Sequence, residues 1–290
     1  TVIYLFAWVN ATDGPVVIES PPNVLAILDD FWFHYVTDIG NAGPDRGKGG
    51  KYLILPPGYK GETPKGYFAF KSRTYNVFVF WRAFIKDGNT AEPVKLMEKT
   101  RIYPLDKVDN PPEMVFPNGS GIPADMLFPQ DYGYFEMLAE FVEHEYVGPE
   151  DWSMRGMMAS LGIVKGKPFE PDERMREILS AGAEVGIKMA KALRFGDHLP
   201  GTLYYEDRQW NNVLNVFDVE YKEDTFLNVD ARVGMFIIGY STSAAMVMNM
   251  VGKGSKYPFA YRDVDGNYLS GSSAYRLHVP ANVPAANFWS

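Results

Sequence analysis

The sequence predicts an α+β protein that is mainly β, with two jelly-roll-like β-sandwich domains joined by a helical segment. Aromatic residues make up 15% of the 290 residues, and such residues favour pleated sheet surfaces. Short apolar runs separated by Gly and Pro turns fill the first part of the chain, which is typical of sandwiches. Apolar residues then recur at helical spacing in the middle, and strand-like runs return near the C-terminus.

The length predicts more than one domain, because one domain usually takes about 100 to 200 residues. We assign residues 1–110 to an N-terminal β-sandwich and residues 111–200 to a Pro-rich linker with a helical segment. Residues 201–290 are then the start of a C-terminal domain that we expect to be incomplete.

The first segment opens with an apolar strand over residues 2–9. Asp13 and Gly14 precede a second apolar run, residues 15–19, and an Asp-Gly turn between apolar runs predicts a β-hairpin. Further strands are predicted over residues 24–28, 31–36, 52–55, 66–71 and 76–81. The glycine-dense stretch 40–50 predicts a mobile loop.

Helical spacing of apolar residues predicts helices in the middle of the chain. They cover residues 134–142, 152–161, 171–195 and 230–250. Strands are predicted to follow over residues 257–261 and 268–279, with a turn at residues 263–267 between them. The opening of a further strand is predicted over residues 286–290. Because an unpaired strand is normally covered or paired, we expect the chain to be a piece of a longer polypeptide.

Composition excludes several classes of partner. A net charge of −8 and a pI near 5.1 argue against nucleic acid or an anionic membrane surface, since both require clustered Lys and Arg. The chain has no Cys, which excludes disulfides and thiolate chemistry. No apolar run reaches the roughly 18 residues that a membrane span needs. We therefore predict no membrane span.

Several motifs carry a family resemblance. They are Thr12-Asp-Gly-Pro-Val-Val-Ile-Glu19, Gly49-Gly-Lys-Tyr-Leu-Ile-Leu-Pro-Pro-Gly58, the strand from Arg73 to Arg82, Asp263-Val-Asp-Gly266, Tyr275-Arg-Leu-His-Val-Pro280 and Asn287-Phe-Trp-Ser290. In this order the chain resembles exported bacterial proteins with a domain of unknown function 1254 (DUF1254) followed by a domain of unknown function 1214 (DUF1214). The resemblance implies jelly-roll sandwiches with helices between them and a periplasmic or secreted location. It implies no settled reaction. Family members usually carry a helical lead-in and a further strand-rich stretch, which this sequence lacks.

Charged residues within apolar strands give the candidate ligand-binding residues. Such side chains must point outward or be paired inside, because an isolated buried charge is costly. Inward pairs would line a polar cavity, whereas structural ion pairs or a solvated surface are the alternative. The candidates are Asp30, His34, Arg73 and Arg82 in the first segment, with Asp230 and Arg232 at the start of the last helix.

Metal and cofactor sites are not predicted. None of the four histidines (His34, His144, His198 and His278) lies within ten residues of another, whereas zinc motifs use closely spaced ligands. Residues 263–267 resemble the opening of a calcium loop, but Ala274 occupies the position of its closing acid, so a hairpin turn is favoured. The catalytic residues, if any, are unknown.

Two hypotheses of function follow. In the first, the chain is a binding or structural module that self-associates into a homo-oligomer. In the second, it is an enzyme of hydrolase or lyase type that acts on a small polar substrate in a cavity lined by Arg and Asp. The sequence does not decide whether the chain is an enzyme.

Overall fold

A computed structural model of the chain describes residues 2–196, 201–213, 218–248 and 255–285. Its contacts divide the chain into two compact units. Unit 1 comprises Thr1–Met189 and Tyr240–Ala245, and unit 2 comprises Ala190–Gly239 and Met246–Ser290.

Unit 1 is built on two four-stranded sheets, with strand orders β1-β7-β3-β4 and β6-β5-β2-β8. The first sheet is antiparallel, and the second is mixed because β5 and β6 run parallel. The strands are β1 (Val2–Asn10), β2 (Val16–Ser20), β3 (Leu25–Asp30), β4 (Tyr35–Gly40), β5 (Gly50–Leu55), β6 (Phe68–Lys71), β7 (Asn76–Phe84) and β8 (Arg101–Pro104).

One apolar core joins the two sheets of unit 1. Strand β7 shows the pattern, since Val77, Val79 and Trp81 are fully buried and alternate with partly exposed residues. These side chains pack with Ile18 and Ile54 of the second sheet. The Trp81 indole N–H also donates to Ser20 Oγ across the core at 3.1 Å. The two sheets therefore pack face to face. The opposite face of the first sheet, which points away from this core, makes other contacts.

The predicted hairpin of residues 2–19 is wrong. Strand β1 pairs with β7, whereas β2 pairs with β5 and β8 in the other sheet. The reason lies in β2, where Val16, Val17 and Ile18 are all buried. A strand that is apolar on both faces needs a central position in a covered sheet, so the chain crosses between sheets at the Asp-Gly turn.

The chain reverses sharply between β3 and β4. The predicted strand over residues 31–36 is displaced, because residues 31–34 form a turn and β4 begins at Tyr35. Phe33 lies in the left-handed region with φ of 56°, which is rare for a bulky residue. The Asp30 N–H donates to the His34 carbonyl at 2.8 Å. This turn holds the first candidate site.

The glycine-dense stretch after β4 is held by hydrogen bonds and is not an open loop. The Asp45 carboxylate accepts from the backbone N–H groups of Gly40 and Gly49 and from the Tyr52 hydroxyl, at 2.8, 2.9 and 2.6 Å. Gly40 has φ of 80°, and a Cβ there would lie 2.1 Å from the Val24 carbonyl oxygen. Only glycine fits at this position.

Four helices begin in the Thr1–Met189 part of unit 1. They are α1 (Ala91–Met97), α2 (Gly133–His144), α3 (Trp152–Ser160) and α4 (Glu173–Phe195), of which α4 continues into unit 2. Residues 105–107 and 149–151 form 3₁₀ turns. The predictions of α2, α3 and α4 agree with the structure to within a few residues.

Helix α2 is fixed to the first sheet by the residue that follows it. Glu145 is fully buried, and its carboxylate accepts from the backbone N–H groups of Tyr75 and Asn76 at 2.9 and 3.1 Å. The Asn76 side-chain amide also donates to it. The Phe141 ring lies 5.1 Å from the Phe31 ring in an edge-to-face contact. The end of α2 therefore lies beside the β3–β4 turn.

Unit 2 contains the short antiparallel pair β9 (Trp210–Asn212) and β10 (Pro258–Ala260) and the helix α5 (Val229–Phe236). Helix α6 (Ala244–Val247) spans the boundary between the two units. In unit 2, Tyr221, Ala231 and Met235 form a small core. The Arg194 guanidinium, 2% exposed, donates to the Tyr261 hydroxyl at 3.0 and 3.1 Å and to the Asn212 carbonyl at 3.2 Å.

Two predictions for the C-terminal segment are wrong. The helix over residues 230–250 is interrupted after α5, since Gly239, Ser241 and Ser243 are poor helix formers. The strand over residues 268–279 is absent from the described range 255–285. Ser270 and Ser272 there bond to nearby groups in a local turn. The turn at residues 263–267 is confirmed, because the Asp263 N–H donates to the Asn267 carbonyl at 2.9 Å.

The fold class is α+β, as predicted. The jelly-roll connectivity of the strands stays a prediction, as do the domain boundaries at residues 110 and 200.

Candidate functional site

Three of the six candidate residues meet at the β3–β4 turn. The Asp30 carboxylate is 1% exposed, and its Oδ1 accepts from the backbone N–H groups of Trp32 and His34, both at 2.9 Å. His34 Nδ1 lies 3.1 Å from Asp30 Oδ2, and Arg73 Nε donates to the same oxygen at 3.3 Å. We call Asp30, His34 and Arg73 the Asp30 cluster.

The local backbone explains why the Asp30 cluster forms. Asp30 is the last residue of β3, and the turn folds two amide groups back over its carboxylate. Thr74, next to Arg73, accepts from the Phe31 N–H at 2.9 Å and so holds the β6–β7 connection against the same turn. Two different loops therefore bring Arg73 and His34 to Asp30.

The Asp30 carboxyl is ionised. Burial alone would raise its pKa, but hydrogen bonds from His34 and the neighbouring charge of Arg73 lower it. An ionised carboxylate can only accept hydrogen bonds, so His34 Nδ1 donates to it. In the neutral ring Nε2 is then the acceptor, which is the arrangement by which a carboxylate orients a general base.

The Asp30 cluster is open to solvent on one side. The side chains of His34 and Arg73 are 22% and 40% exposed, whereas that of Asp30 is 1% exposed. Within the described residues, Arg73 Nη2 is buried and has no hydrogen-bond partner. The cluster therefore combines a fully bonded carboxylate with a histidine and an arginine that keep hydrogen-bonding capacity.

The adjacent residue, Asp29, points to the opposite face of the sheet. Successive side chains alternate along a strand, so Asp29 lies on the outer face together with Asp38 of β4. Asp29 is fully buried and Asp38 is 4% exposed. We call these two residues the outer acid pair. Each has an Oδ1 that is buried without a hydrogen-bond partner in the described part of the chain.

Residues 240–245 cover the outer acid pair. The Ser241 hydroxyl donates to Asp29 Oδ2, and the Ala245 N–H donates to Asp38 Oδ2 at 3.2 Å. The Tyr240 ring stacks on the Phe33 ring at 6.0 Å. This segment belongs to unit 1 although it follows α5 in the sequence.

Burial keeps a proton on the outer acid pair. Burial raises the pKa of Asp29 to about 8, against a weaker opposing effect of the Ser241 hydrogen bond, and the charges of Asp30 and Asp38 raise it further. The pKa of Asp38 is also raised, chiefly by burial. Burial likewise raises the pKa of Tyr35, which donates to Asp38 Oδ2 at 3.1 Å, to about 12. At neutral pH Asp29 is therefore a protonated acid within the fold.

The other three candidates lie elsewhere. Arg82 is on the outer face of β7, with its guanidinium 5.9 Å from the centre of the Phe80 ring, and its charge partly opposes the burial that raises the pKa of Asp38. Asp230 lies in the first turn of α5 in unit 2, and Arg232 lies over the Phe236 ring at 5.5 Å. The structure thus groups Asp30, His34 and Arg73, and it places Arg82 with Asp38.

Besides the outer acid pair, the outer face of the first sheet carries aromatic side chains. Tyr4, Phe6 and Trp8 of β1 are 57%, 67% and 49% exposed. They stand opposite Arg82, Phe80 and Phe78 of β7. Strand β1 is at the end of the sheet order, with β7 as its single neighbour among the described strands. A long aromatic edge strand is therefore exposed.

The remaining histidines do not add to a site. His144 is exposed at the end of α2. His278 falls in the predicted strand over residues 268–279, but it is exposed and outside any strand. His198 lies outside the described residues. Among the described residues, no group of three His, Asp or Glu side chains is placed to hold a metal ion.

Two family descriptions match the chain. "Protein of unknown function (DUF1254)" matches residues 1–104, and "Protein of unknown function (DUF1214)" matches residues 254–290. The order of the two is the one that the sequence motifs indicate. The chain therefore carries a DUF1254 match followed by a DUF1214 match, which supports the tandem DUF1254/DUF1214 resemblance. Both the Asp30 cluster and the acids of the outer pair lie in the DUF1254 region.

A solved structure resembles this DUF1254/DUF1214 chain. The crystal structure of the VPA0106 protein from Vibrio parahaemolyticus is 16% identical in sequence, with a TM-score of 0.56. The match covers 82% of this chain and 56% of the other, so the chain spans little more than half the length of that relative. The likeness concerns the fold. No curated protein matches the chain.

The DUF1254/DUF1214 chain also has features that sequence reasoning missed. Asp29, Asp38 and Ser241 were not among the candidates. Asp38 carried a usable signal, since it is a charged residue within the apolar run of β4, the criterion that selected Asp30. Ser241 carried none, because it meets Asp29 across 212 residues of sequence. In the described part of the chain, no helix is long and apolar enough to cross a membrane.

Proposed function

We propose that this protein is a self-associating module and that the edge strand β1 pairs with β1 of a second copy. The observation that carries the proposal is the exposed edge itself. Strand β1 is nine residues long and contains neither a charged residue nor a proline. Soluble proteins usually protect such edges with charges, prolines or bulges, because free backbone groups pair with other strands.

The side chains of β1 suit a second copy of the same strand. Two identical strands pair antiparallel about a two-fold axis, so each contact occurs twice. In the register centred on Phe6, the two Phe6 rings face each other and each Tyr4 faces a Trp8. Aromatic cross-strand pairs stabilise antiparallel sheets, and no like charges oppose one another along β1 despite the net charge of −8.

The expected affinity is modest. An aromatic side chain buries about 150 to 250 Å² when fully covered, and the three β1 rings are roughly half exposed before pairing. Six rings then contribute on the order of 600 Å² to the interface, before the backbone is included. This is the low end of specific interfaces, so we expect a dissociation constant in the micromolar range.

Sedimentation across protein concentration tests the proposal. We expect a mass of 32.7 kDa per chain to double as the concentration rises from about 1 to 100 µM. Phe6→Lys places a charge on the edge at a 67% exposed position, where folding should tolerate it, and should leave a monomer. Phe226→Lys is the matched control, because Phe226 is 60% exposed in unit 2. A monomeric wild type at 100 µM, or a Phe6→Lys variant that still dimerises, contradicts the proposal.

We also propose the periplasmic or secreted location that the family resemblance implies. The enzyme hypothesis rests on fewer residues than the six candidates that the sequence indicated. Of the residues expected to line a cavity, Arg73 is the one that joins His34 and a buried carboxylate.

A further inference from the structure

The Asp30 cluster has the components of a small ligand site that self-association does not use. Asp30 is at the end of β3 and its carboxylate is already occupied by five hydrogen-bond contacts from the turn, His34 and Arg73. It therefore acts on a ligand through the two side chains that it holds. His34 Nδ1 and Arg73 Nε contact the same oxygen, Asp30 Oδ2, at 3.1 and 3.3 Å, so the two side chains meet at one point.

Each of the two side chains offers a different hydrogen-bond role. Because His34 Nδ1 donates to the ionised Asp30, Nε2 of the neutral ring can only accept. A guanidinium can only donate, and Arg73 uses Nε for Asp30 while Nη2 lacks a partner among the described residues. The Arg73 side chain is 40% exposed, so a ligand can reach part of it from solvent. A matching ligand needs an acceptor oxygen and a hydroxyl donor.

We infer that Arg73 and His34 bind a small oxyanion that also carries a hydroxyl group. An oxygen of the anion accepts from the Arg73 guanidinium, and the hydroxyl donates to His34 Nε2. Charge favours this arrangement, because the positively charged Arg73 is 40% exposed whereas the Asp30 carboxylate is 1% exposed, so an anion can contact Arg73 without contacting Asp30. Hydrogen phosphate and α-hydroxy carboxylates share this chemistry. Sulfate lacks the hydroxyl.

Imidazole nitrogen NMR of the full chain provides a direct assay. The chain contains four histidines, so the long-range ¹H–¹⁵N spectrum is simple, and His34→Gln assigns the His34 signals. We expect His34 to show the tautomer protonated at Nδ1. At pH 8, phosphate or glycolate should shift the His34 Nε2 resonance along a saturable curve, with the half-saturation point below roughly 50 mM. The two probes distinguish a phosphate ligand from a hydroxy acid.

Two controls make the result decisive. Sulfate at equal ionic strength should bind at least about tenfold more weakly, because it has no hydroxyl to donate. Arg73→Gln should weaken phosphate and glycolate at least tenfold while leaving the Nδ1 tautomer in place, since Asp30 remains. Arg101→Gln, at an exposed arginine on β8, should change nothing. An unmoved His34 resonance, equal binding of sulfate, or unchanged binding in Arg73→Gln would each overturn the inference.

Discussion

Asp29→Asn tests whether the outer acid pair is protonated within the fold. The folded pKa of Asp29 is raised from 3.8 to about 8, while the unfolded chain keeps the ordinary value. The protonated form is therefore favoured by folding. The contribution to stability is fully present below about pH 4 and is lost as the pH rises through 8.

The magnitude follows from the size of the shift. Each pKa unit corresponds to about 1.4 kcal/mol, so a shift of about four units corresponds to on the order of 5 kcal/mol between pH 4 and 8. Within that window the free energy of unfolding should fall by up to about 1.4 kcal/mol per pH unit because of Asp29. The asparagine amide cannot ionise, so the variant lacks this slope. The raised pKa of Asp38 adds a slope of the same sign in both proteins.

Urea unfolding at a series of pH values measures the effect. Tryptophan fluorescence reports chiefly on unit 1, which contains Trp8, Trp32, Trp81 and Trp152 of the six tryptophans. The protein concentration is held fixed, since self-association would change apparent stability. We expect the difference between wild type and Asp29→Asn to change steadily from pH 5 to 8. Parallel stability curves for the two proteins would refute a protonated Asp29. Asp13→Asn, in an exposed turn, is the control and should run parallel to wild type.

Two further substitutions test the contacts that shape the first sheet. Glu145→Ala leaves the part-buried backbone N–H groups of Tyr75 and Asn76 without acceptors and should lower the free energy of unfolding by about 2 to 4 kcal/mol. Glu140→Ala, at an exposed position on α2, should have little effect, and equal losses would contradict the role of Glu145. Tyr52→Phe removes the 2.6 Å hydrogen bond to Asp45 and should cost about 1 to 2 kcal/mol in urea unfolding, so an unchanged midpoint would show that this bond does not hold the glycine-rich loop.

Three helices and one strand could be predicted from the local pattern of apolar residues. The helices near residues 134–142, 152–161 and 171–195 and the strand at 76–81 agree with the structure, because burial on one face imposes a period that the residues display. Helix α1 and strand β8 were missed, since each is short and has little periodicity. Their place is fixed by packing, as Met97 of α1 fills the core between the sheets.

The same distinction between local sequence pattern and tertiary packing applies to the candidate site. The sequence by itself determined which residues were candidates, because a charge within an apolar strand must find a partner or reach solvent. It thereby identified Asp30, His34 and Arg73. Tertiary structure alone decided that these three share one carboxylate, that Asp29 and Asp38 are covered by residues 240–245, and that β1 pairs with β7. Partners separated by 43 or 212 residues leave no local pattern, since the sequence between them fixes neither strand pairing nor which loop closes over a sheet.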